Sequence, residues 1–511
     1  MSLLGLSALW LAGCVQDAYA RLGHMPYEVA LANKDSLGAL VRERSEASDD
    51  RGAFYSAELA RARRRSLELL SGERGRVDPA LRDLSAHLDF AGEGVGKRGF
   101  VVKARPIELE RGGGEGSEGG DEAFWKGVRV YESRLKTWMN TANASMGDLN
   151  TRAVYGSPFA IASAVEVAGA LLPGEAIVQY YIDGDLMLGI VIAPEVFEVH
   201  RLEGAASLDG EVAALVEGIS CVAAQEPCGQ GAWEGPSRAL YARLIGPLEG
   251  ALSRAGVKTV RFVPDGPLVN MPFQVLMDGQ GALLIERFGG LAMLPSSSFY
   301  LGVMARRRPQ VAPRMLAIGD PASGWVPMPR LSAAAQEAAV LGDVYPGSTI
   351  WRGGAATEAR FYAAVGQHNV LHMATHGLLL RSMPEATSLL LADGQGHDGL
   401  LTVAEIVALL DLSGYYAVVL SACQTSVAAD ARRDLTSLTG AFLMAGAPSV
   451  IGSLWHVDDA STAALMLTFY AQMVDLGPGE ALRQAQLALR AEAGTRHPFF
   501  WSPFVLWGFD T

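Results

Sequence analysis

The chain has 511 residues, 50% of them hydrophobic and 19% charged, with a formal net charge of −13. That apolar share supplies a large core and excludes a globally disordered chain, and the length suggests roughly two to four domains. The acid excess argues against a nucleic-acid partner: the basic stretch Arg61-Ala-Arg-Arg-Arg65 is short and reads as the solvated face of a helix.

Residues 3–15 are apolar but short of the ~20 needed to span a bilayer. Leu11-Ala-Gly-Cys14 has the form of a lipoprotein processing site, which would lipidate Cys14 and place the chain at a membrane. Ala18-Tyr-Ala20 has the form of an ordinary cleavage site. No Lys or Arg precedes either, and a secretory signal needs a positive start, so an amphipathic helix in a cytoplasmic protein is the main expectation. Helices are expected over 27–42 and 53–70. In the second, Phe54, Leu59 and Leu67 are the apolar positions, and Arg61, Arg63, Arg64 and Arg65 lie on the polar face. Residues 91–99 are Gly-rich but fail the phosphate-loop pattern, because position 91 is Ala and Arg98 stands where a Ser or Thr must hold the metal. Residues 112–120 read as a flexible linker. A helix or helix pair over 121–146 follows.

Strands are expected at 176–181, 186–192 and 196–202, with Asp183-Gly-Asp185 as the first hairpin turn. A helix at 240–252 and a strand at 259–263 come next. From 315 the pattern alternates: strand 315–318, helix 333–341, a helix capped by Thr357, strand 370–374, a capping box Thr402-Val-Ala-Glu405, strand 417–420, helix 435–444 ended by Gly446, strand 449–454, and helices 462–474 and 480–491. Such alternation argues a parallel α/β sandwich.

Two of these strands end in reactive side chains. One runs into His376, the other into Cys423, and ligands sit at the carboxyl ends of parallel strands. The separation is 423 − 376 = 47 residues, close to the roughly 50 of caspase-like enzymes, with His first. A buried thiol and a hydrogen-bonded loop histidine would show the same residue types singly. A thiolate is a stronger nucleophile than water, and an imidazole can take its proton and later protonate a leaving amine. Cys423 is therefore read as the nucleophile and His376 as the general acid and base. His372 stands four before His376. On a strand that is about 13 Å, too far for one metal, so His372 is read as structural. The other cysteines, Cys14, Cys221 and Cys228, form no metal-type pair. Cys221 and Cys228 would close a small disulfide in an exported protein and stay reduced in the cytosol.

The segments Val263-Pro-Asp-Gly-Pro-Leu, Met271-Pro-Phe, Leu294-Pro-Ser, Ile318-Gly-Asp-Pro, Ala356-Thr-Glu, His372-Met-Ala-Thr-His-Gly, Leu420-Ser-Ala-Cys-Gln-Thr, Ser453-Leu-Trp-His-Val-Asp-Asp and Trp501-Ser-Pro-Phe-Val-Leu-Trp-Gly, in this order over about 236–510, resemble the CHAT domain. This is a caspase-like cysteine peptidase family related to separases. The resemblance implies a caspase-like parallel-sheet α/β sandwich at the C-terminus, preceded by a short helical region. There, Ala53-Phe-Tyr-Ser-Ala-Glu-Leu-Ala resembles the last helix of a tetratricopeptide array. The expected division is a helical region 1–105, a Gly-rich linker 106–122, an N-terminal α/β part 123–310 and a catalytic subdomain 311–511.

By the same resemblance the chain is a cysteine endopeptidase acting on a protein or peptide after Arg or another basic residue. It needs no cofactor and no metal, and an activating protein partner is a further expectation. Backbone N–H groups of Gly377 and Cys423 would form the oxyanion hole, and Gly377 suits this because it lacks a Cβ. Trp455-His-Val-Asp-Asp459 resembles the separase segment whose acidic residue receives a substrate arginine. That role falls on Asp459, with Asp458 as the near alternative, since one of the two can cap the helix that follows. Residues 427–435, with Arg432-Arg433, read either as a gating or autoprocessing segment or as a plain loop. The alternatives are a catalytically silent CHAT scaffold and an envelope lipoprotein module.

Overall fold

In a computed structural model the described residues are scattered helical positions between 41 and 61, then 162–224, 231–304, 312–323, 330–379, 386–422, 425–426 and 437–509. The apolar leader with Cys14, the Gly-rich stretches at 91–99 and 112–120, the helix at 121–146, Cys228, Cys423 and the 427–435 loop lie outside them. Residues 164–511 belong to one compact unit and the N-terminal helical positions to another. In the latter, Val41, Ala53, Phe54 and Ala57 are buried. Arg61, expected on the polar face, is buried too, with its Nε 3.8 Å from Glu58.

The larger unit is built on one eleven-stranded sheet. Its strands are β1 (Glu175–Asp183), β2 (Leu186–Ala193), β3 (Val196–Leu202), β4 (Thr259–Val263), β5 (Gly289–Met293), β6 (Met315–Pro321), β7 (Thr349–Gly353), β8 (Val370–Ala374), β12 (Ala417–Leu420), β13 (Ser449–Ser453) and β14 (Phe504–Gly508). A separate three-stranded sheet holds β9 (Gly377–Leu378), β10 (Ser388–Leu390) and β11 (Leu400–Thr402). The order in the large sheet is β3-β2-β1-β4-β5-β14-β13-β12-β8-β6-β7. Every residue of β6, β8, β12, β13 and β14 is buried. Continuous burial is what a sheet covered on both faces requires, and it explains why these strands read as unbroken apolar runs rather than alternating ones.

The sheet holds two parallel blocks. β1, β4, β5 and β14 run one way, while β13, β12, β8, β6 and β7 run the other. The blocks meet where β14 pairs antiparallel with β13, from Ser449↔Gly508 to Ser453↔Phe504. The second block has the order β7-β6-β8-β12-β13, so its chain direction of travel reverses between β6 and β8. A crevice opens at the carboxyl ends of strands on either side of such a reversal.

Local chemistry sets the helices of this block. They are α1 (Ser332–Val344), α2 (Glu358–Ala364), α3 (Val403–Leu409), α4 (Leu438–Met444), α5 (Asp459–Leu476) and α6 (Pro478–Ala491). Thr357 caps α2, and Ser437 caps α4 by accepting the Gly440 N–H at 3.0 Å. Thr402 and Glu405 form a reciprocal capping box on α3. The helix expected over 240–252 is instead split into Glu234–Leu244 and Glu249–Arg254 by a 3₁₀ turn at Gly246–Leu248. Pro247 has no N–H to continue the ladder.

Candidate active site

His376 follows the end of β8 at the β6/β8 reversal. Thr375 is buried and donates its hydroxyl to the Leu390 carbonyl at 2.5 Å. The His376 carbonyl accepts the Leu390 N–H at 2.9 Å, and Gly377 pairs with Leu389. The backbone on both sides of the half-buried His376 is therefore fixed to the small sheet.

The neighbouring strand end carries a residue whose role sequence reasoning missed. Register pairs Gly319 with Ala374, so Asp320 stands one residue past that pair. Asp320 is 4% exposed and has φ 47°, a left-handed conformation that costs on the order of 1 kcal/mol outside glycine. Arg330 clamps its carboxylate, with Nε 3.1 and 2.9 Å from the two oxygens and Nη2 2.5 Å from Oδ2, while the Leu331 N–H donates at 2.9 Å. Burial alone would raise the Asp320 carboxyl. The Arg330 hydrogen bonds and charge, the Leu331 amide and the nearby His376 together hold it below the usual carboxylate range. An Asp closing a strand in Ile318-Gly-Asp-Pro was the available signal.

Ser421 and Ala422, both buried, follow the end of β12. Cys423 and Gln424 lie outside the described residues, and the chain on either side of them is pinned to Ser453. The Ser453 hydroxyl donates to the Ala422 carbonyl, the Ser453 N–H donates to the Thr425 hydroxyl at 2.9 Å, and the Ser426 N–H donates to the Ser453 carbonyl at 2.9 Å.

Asp458 is the N-cap of α5. Its Oδ1 accepts the Ser461 N–H at 2.9 Å, so this carboxylate serves the helix. Asp459 is the first residue of that helix, and its side chain lies outside the description. His372 is fully buried in mid-strand, where its Nδ1 lies 3.0 Å from the Tyr470 hydroxyl and its Nε2 3.1 Å from Glu337. It is a structural strand residue turned into the core. Among the described residues no cluster of three His, Cys, Asp or Glu has metal-binding geometry, and no helix is long and apolar enough to cross a membrane. Cys221, just past the Leu208–Ser220 helix, is disulfide-bonded.

The family model for the CHAT domain matches residues 234–509, more than half of the chain. Tetratricopeptide repeat protein 28 of Homo sapiens is 29% identical over 330 residues, covering 54% of this chain and 13% of that protein. The Mus musculus protein is 28% identical over the same length. The chain thus spans about an eighth of the length of the curated relatives it matches. Among solved structures, the Saccharomyces cerevisiae separase–securin complex aligns with a TM-score of 0.47 at 10% identity, over 98% of this chain and 40% of that one. The Arg specific cysteine proteinase gingipain R aligns with a TM-score of 0.37 at 12% identity, over 60% of this chain and 74% of that one. The buried parallel block with its reversal between β6 and β8, together with the family match over 234–509, leads to one assignment: the chain belongs to the CHAT domain family.

Proposed function

We propose that the chain is a cysteine endopeptidase that cleaves protein substrates after Arg or another basic residue. One observation carries the reading. In the β8/β12 pair Met373 lies opposite Leu420, an offset of 420 − 373 = 47 residues. The same offset, 423 − 376 = 47, separates His376 and Cys423 in the sequence. This agreement supports a dyad carried by two adjacent strand ends.

In this reading the Cys423 thiol gives its proton to His376, and the sulfur attacks the scissile carbonyl carbon. The resulting oxyanion is held by the backbone N–H groups of Gly377 and Cys423. Collapse breaks the C–N bond as His376 protonates the leaving amine. Water, deprotonated by His376, then hydrolyses the thioester and restores the thiol. Because the Asp458 carboxylate already holds a helix N–H, Asp459 is the better candidate to receive a substrate guanidinium.

The test is cleavage of fluorogenic peptides that differ in the residue before the scissile bond, by wild type, Cys423→Ala and Asp459→Ala. Arg cleavage lost in both variants supports the dyad and the pocket. Loss in the Cys variant alone removes Asp459. If no form cleaves and a peptide ketone fails to label Cys423, two readings remain, an enzyme that waits for an activating partner and a silent scaffold.

A disulfide at Cys221 would suit the exported alternative, since cytosolic thiols are kept reduced. Intact mass with and without reductant, on protein from the native host, tests this. Fully reduced Cys221 would return the chain to the cytoplasm.

A further inference from the structure

We propose that Glu337 is a positioning residue for the reactive thiol: it ties the end of the Cys423 strand to the histidine strand and to helix α5. The role rests on the peptidase reading, and its observations are independent of it. Glu337 lies on α1, 4% exposed. The helix sits hard against β6, for a Cβ added at Gly319 would fall 2.6 Å from the Ala334 carbonyl oxygen and 2.7 Å from the Ala338 Cβ. Helix and carboxylate therefore have little freedom to shift away from the sheet.

From this fixed base the carboxylate reaches two neighbouring strands. Oε2 accepts the Ser421 hydroxyl at 3.3 Å, two residues before Cys423. Oε1 lies 3.1 Å from Nε2 of His372, four residues before His376. These last two atoms are close but off the hydrogen-bond line, so they meet by proximity alone. The far side of the His372 ring meets the Tyr470 hydroxyl at 3.0 Å, edge-on to the tyrosine ring, and Tyr470 belongs to α5, which begins at Asp459. Burial, and then the Glu337 charge, push the Tyr470 hydroxyl well above its ordinary value, so it stays a phenol that can donate to Nδ1.

A buried carboxylate is costly, and an apolar residue on α1 would fill the same space at lower cost. What the carboxylate provides is a directional link. Its two contacts, with the His372–Tyr470 contact beyond them, join the three elements that bear Cys423, His376 and Asp459. A buried network of this kind fixes one arrangement of the groups it joins.

The experiment measures alkylation of Cys423 by iodoacetamide in the full chain, followed by mass spectrometry of the Cys423 peptide, with thermal midpoints recorded in parallel. The variants are Ser421→Ala, Glu337→Gln and Tyr470→Phe. Ser421→Ala removes one hydroxyl and should fold. The expected result is that Ser421→Ala and Glu337→Gln slow labelling three- to tenfold, with Ser421→Ala melting as wild type does, while Tyr470→Phe, which leaves the Ser421 link intact, slows it less. Labelling within twofold of wild type in Ser421→Ala and Glu337→Gln would overturn the proposal. So would a slowdown that merely follows the loss of thermal midpoint across all three. A wild-type Cys423 that labels no faster than the same thiol in the urea-unfolded chain would sink the peptidase reading, and the ratio between variants would still judge the network.

Discussion

Replacing Gly452 with alanine should couple stability to thiol reactivity. Gly452 lies in β13, opposite Val505 of β14. A Cβ there would fall 2.5 Å from the Ser426 hydroxyl oxygen, 2.6 Å from that of Thr439 and 2.8 Å from that of Thr425. An unstrained carbon–oxygen contact is about 3.4 Å, so the Thr425–Ser426 turn must retreat by roughly 0.6–0.9 Å. The three hydroxyls cannot move freely. Ser426 and Thr439 share a hydrogen bond at 2.8 Å, Thr439 donates to the Thr425 carbonyl at 3.0 Å, and Thr425 accepts the Ser453 N–H at 2.9 Å. Overpacking costs about 1–3 kcal/mol and one lost hydrogen bond about 1 kcal/mol, giving about 2–4 kcal/mol in total. Urea denaturation followed by tryptophan fluorescence reads that loss, and iodoacetamide labelling reads the effect on Cys423. Labelling should fall at least tenfold under native conditions. A variant within about 0.5 kcal/mol of wild type, with unchanged labelling, would refute the reasoning that the chain after Cys423 is braced by β13.

Three further outcomes are expected. Asp458→Ala should lose about 1 kcal/mol of stability in urea while Asp458→Asn, an equally good cap, stays near wild type; equal losses would remove the capping role. Gly319→Ala forces a carbon against the Ala334 carbonyl and should cost at least about 2 kcal/mol by lifting α1 off β6, seen as a lowered urea midpoint. The Asp320 carboxyl is held below its unfolded value, so its stabilising contribution is present above the unfolded pKa of about 4 and is lost as the pH falls through the folded one. The thermal-midpoint gap between wild type and Asp320→Asn should accordingly be widest near neutral pH and shrink below about pH 4, and a gap independent of pH would contradict the clamp.

The strands that carry the site were the most legible part of the sequence. Expected and observed limits coincide for β8, β12 and β4, because unbroken apolar runs flanked by turn residues leave little choice between periods. The caps at Thr357 and Thr402 were equally legible, since capping is local chemistry. The Asp183-Gly-Asp185 hairpin also formed, with Gly184 at φ 61°. What was not legible depended on distant partners. β5, Gly-Gly-Leu-Ala-Met, has the composition of a loop and becomes a strand only because β4 and β14 flank it. β14 was visible as a motif but not as the seam between two opposed blocks. The roles of Asp458 and Asp459 could not be separated by spacing, since either residue can cap. The hydrogen bond to Ser461 gave that role to Asp458. Asp320 comes close to the end of β8, and Glu337 to β8 and the end of β12, only through tertiary packing, about which periodicity is silent.

The β13/β14 seam has a consequence for synthesis. β14 follows every other strand of the large sheet in the chain, yet it lies between β5 and β13. Both blocks therefore wait for it. Translation at about 5–20 residues per second leaves roughly 4–17 seconds between residues 423 and 508. During that interval β12 exists while β13, which braces the chain on either side of Cys423, still lacks its outer neighbour. A nascent chain thus completes its sheet only when its last strand is made, and any truncation that removes residues 504–508 should leave two half-sheets with exposed edges, prone to aggregate.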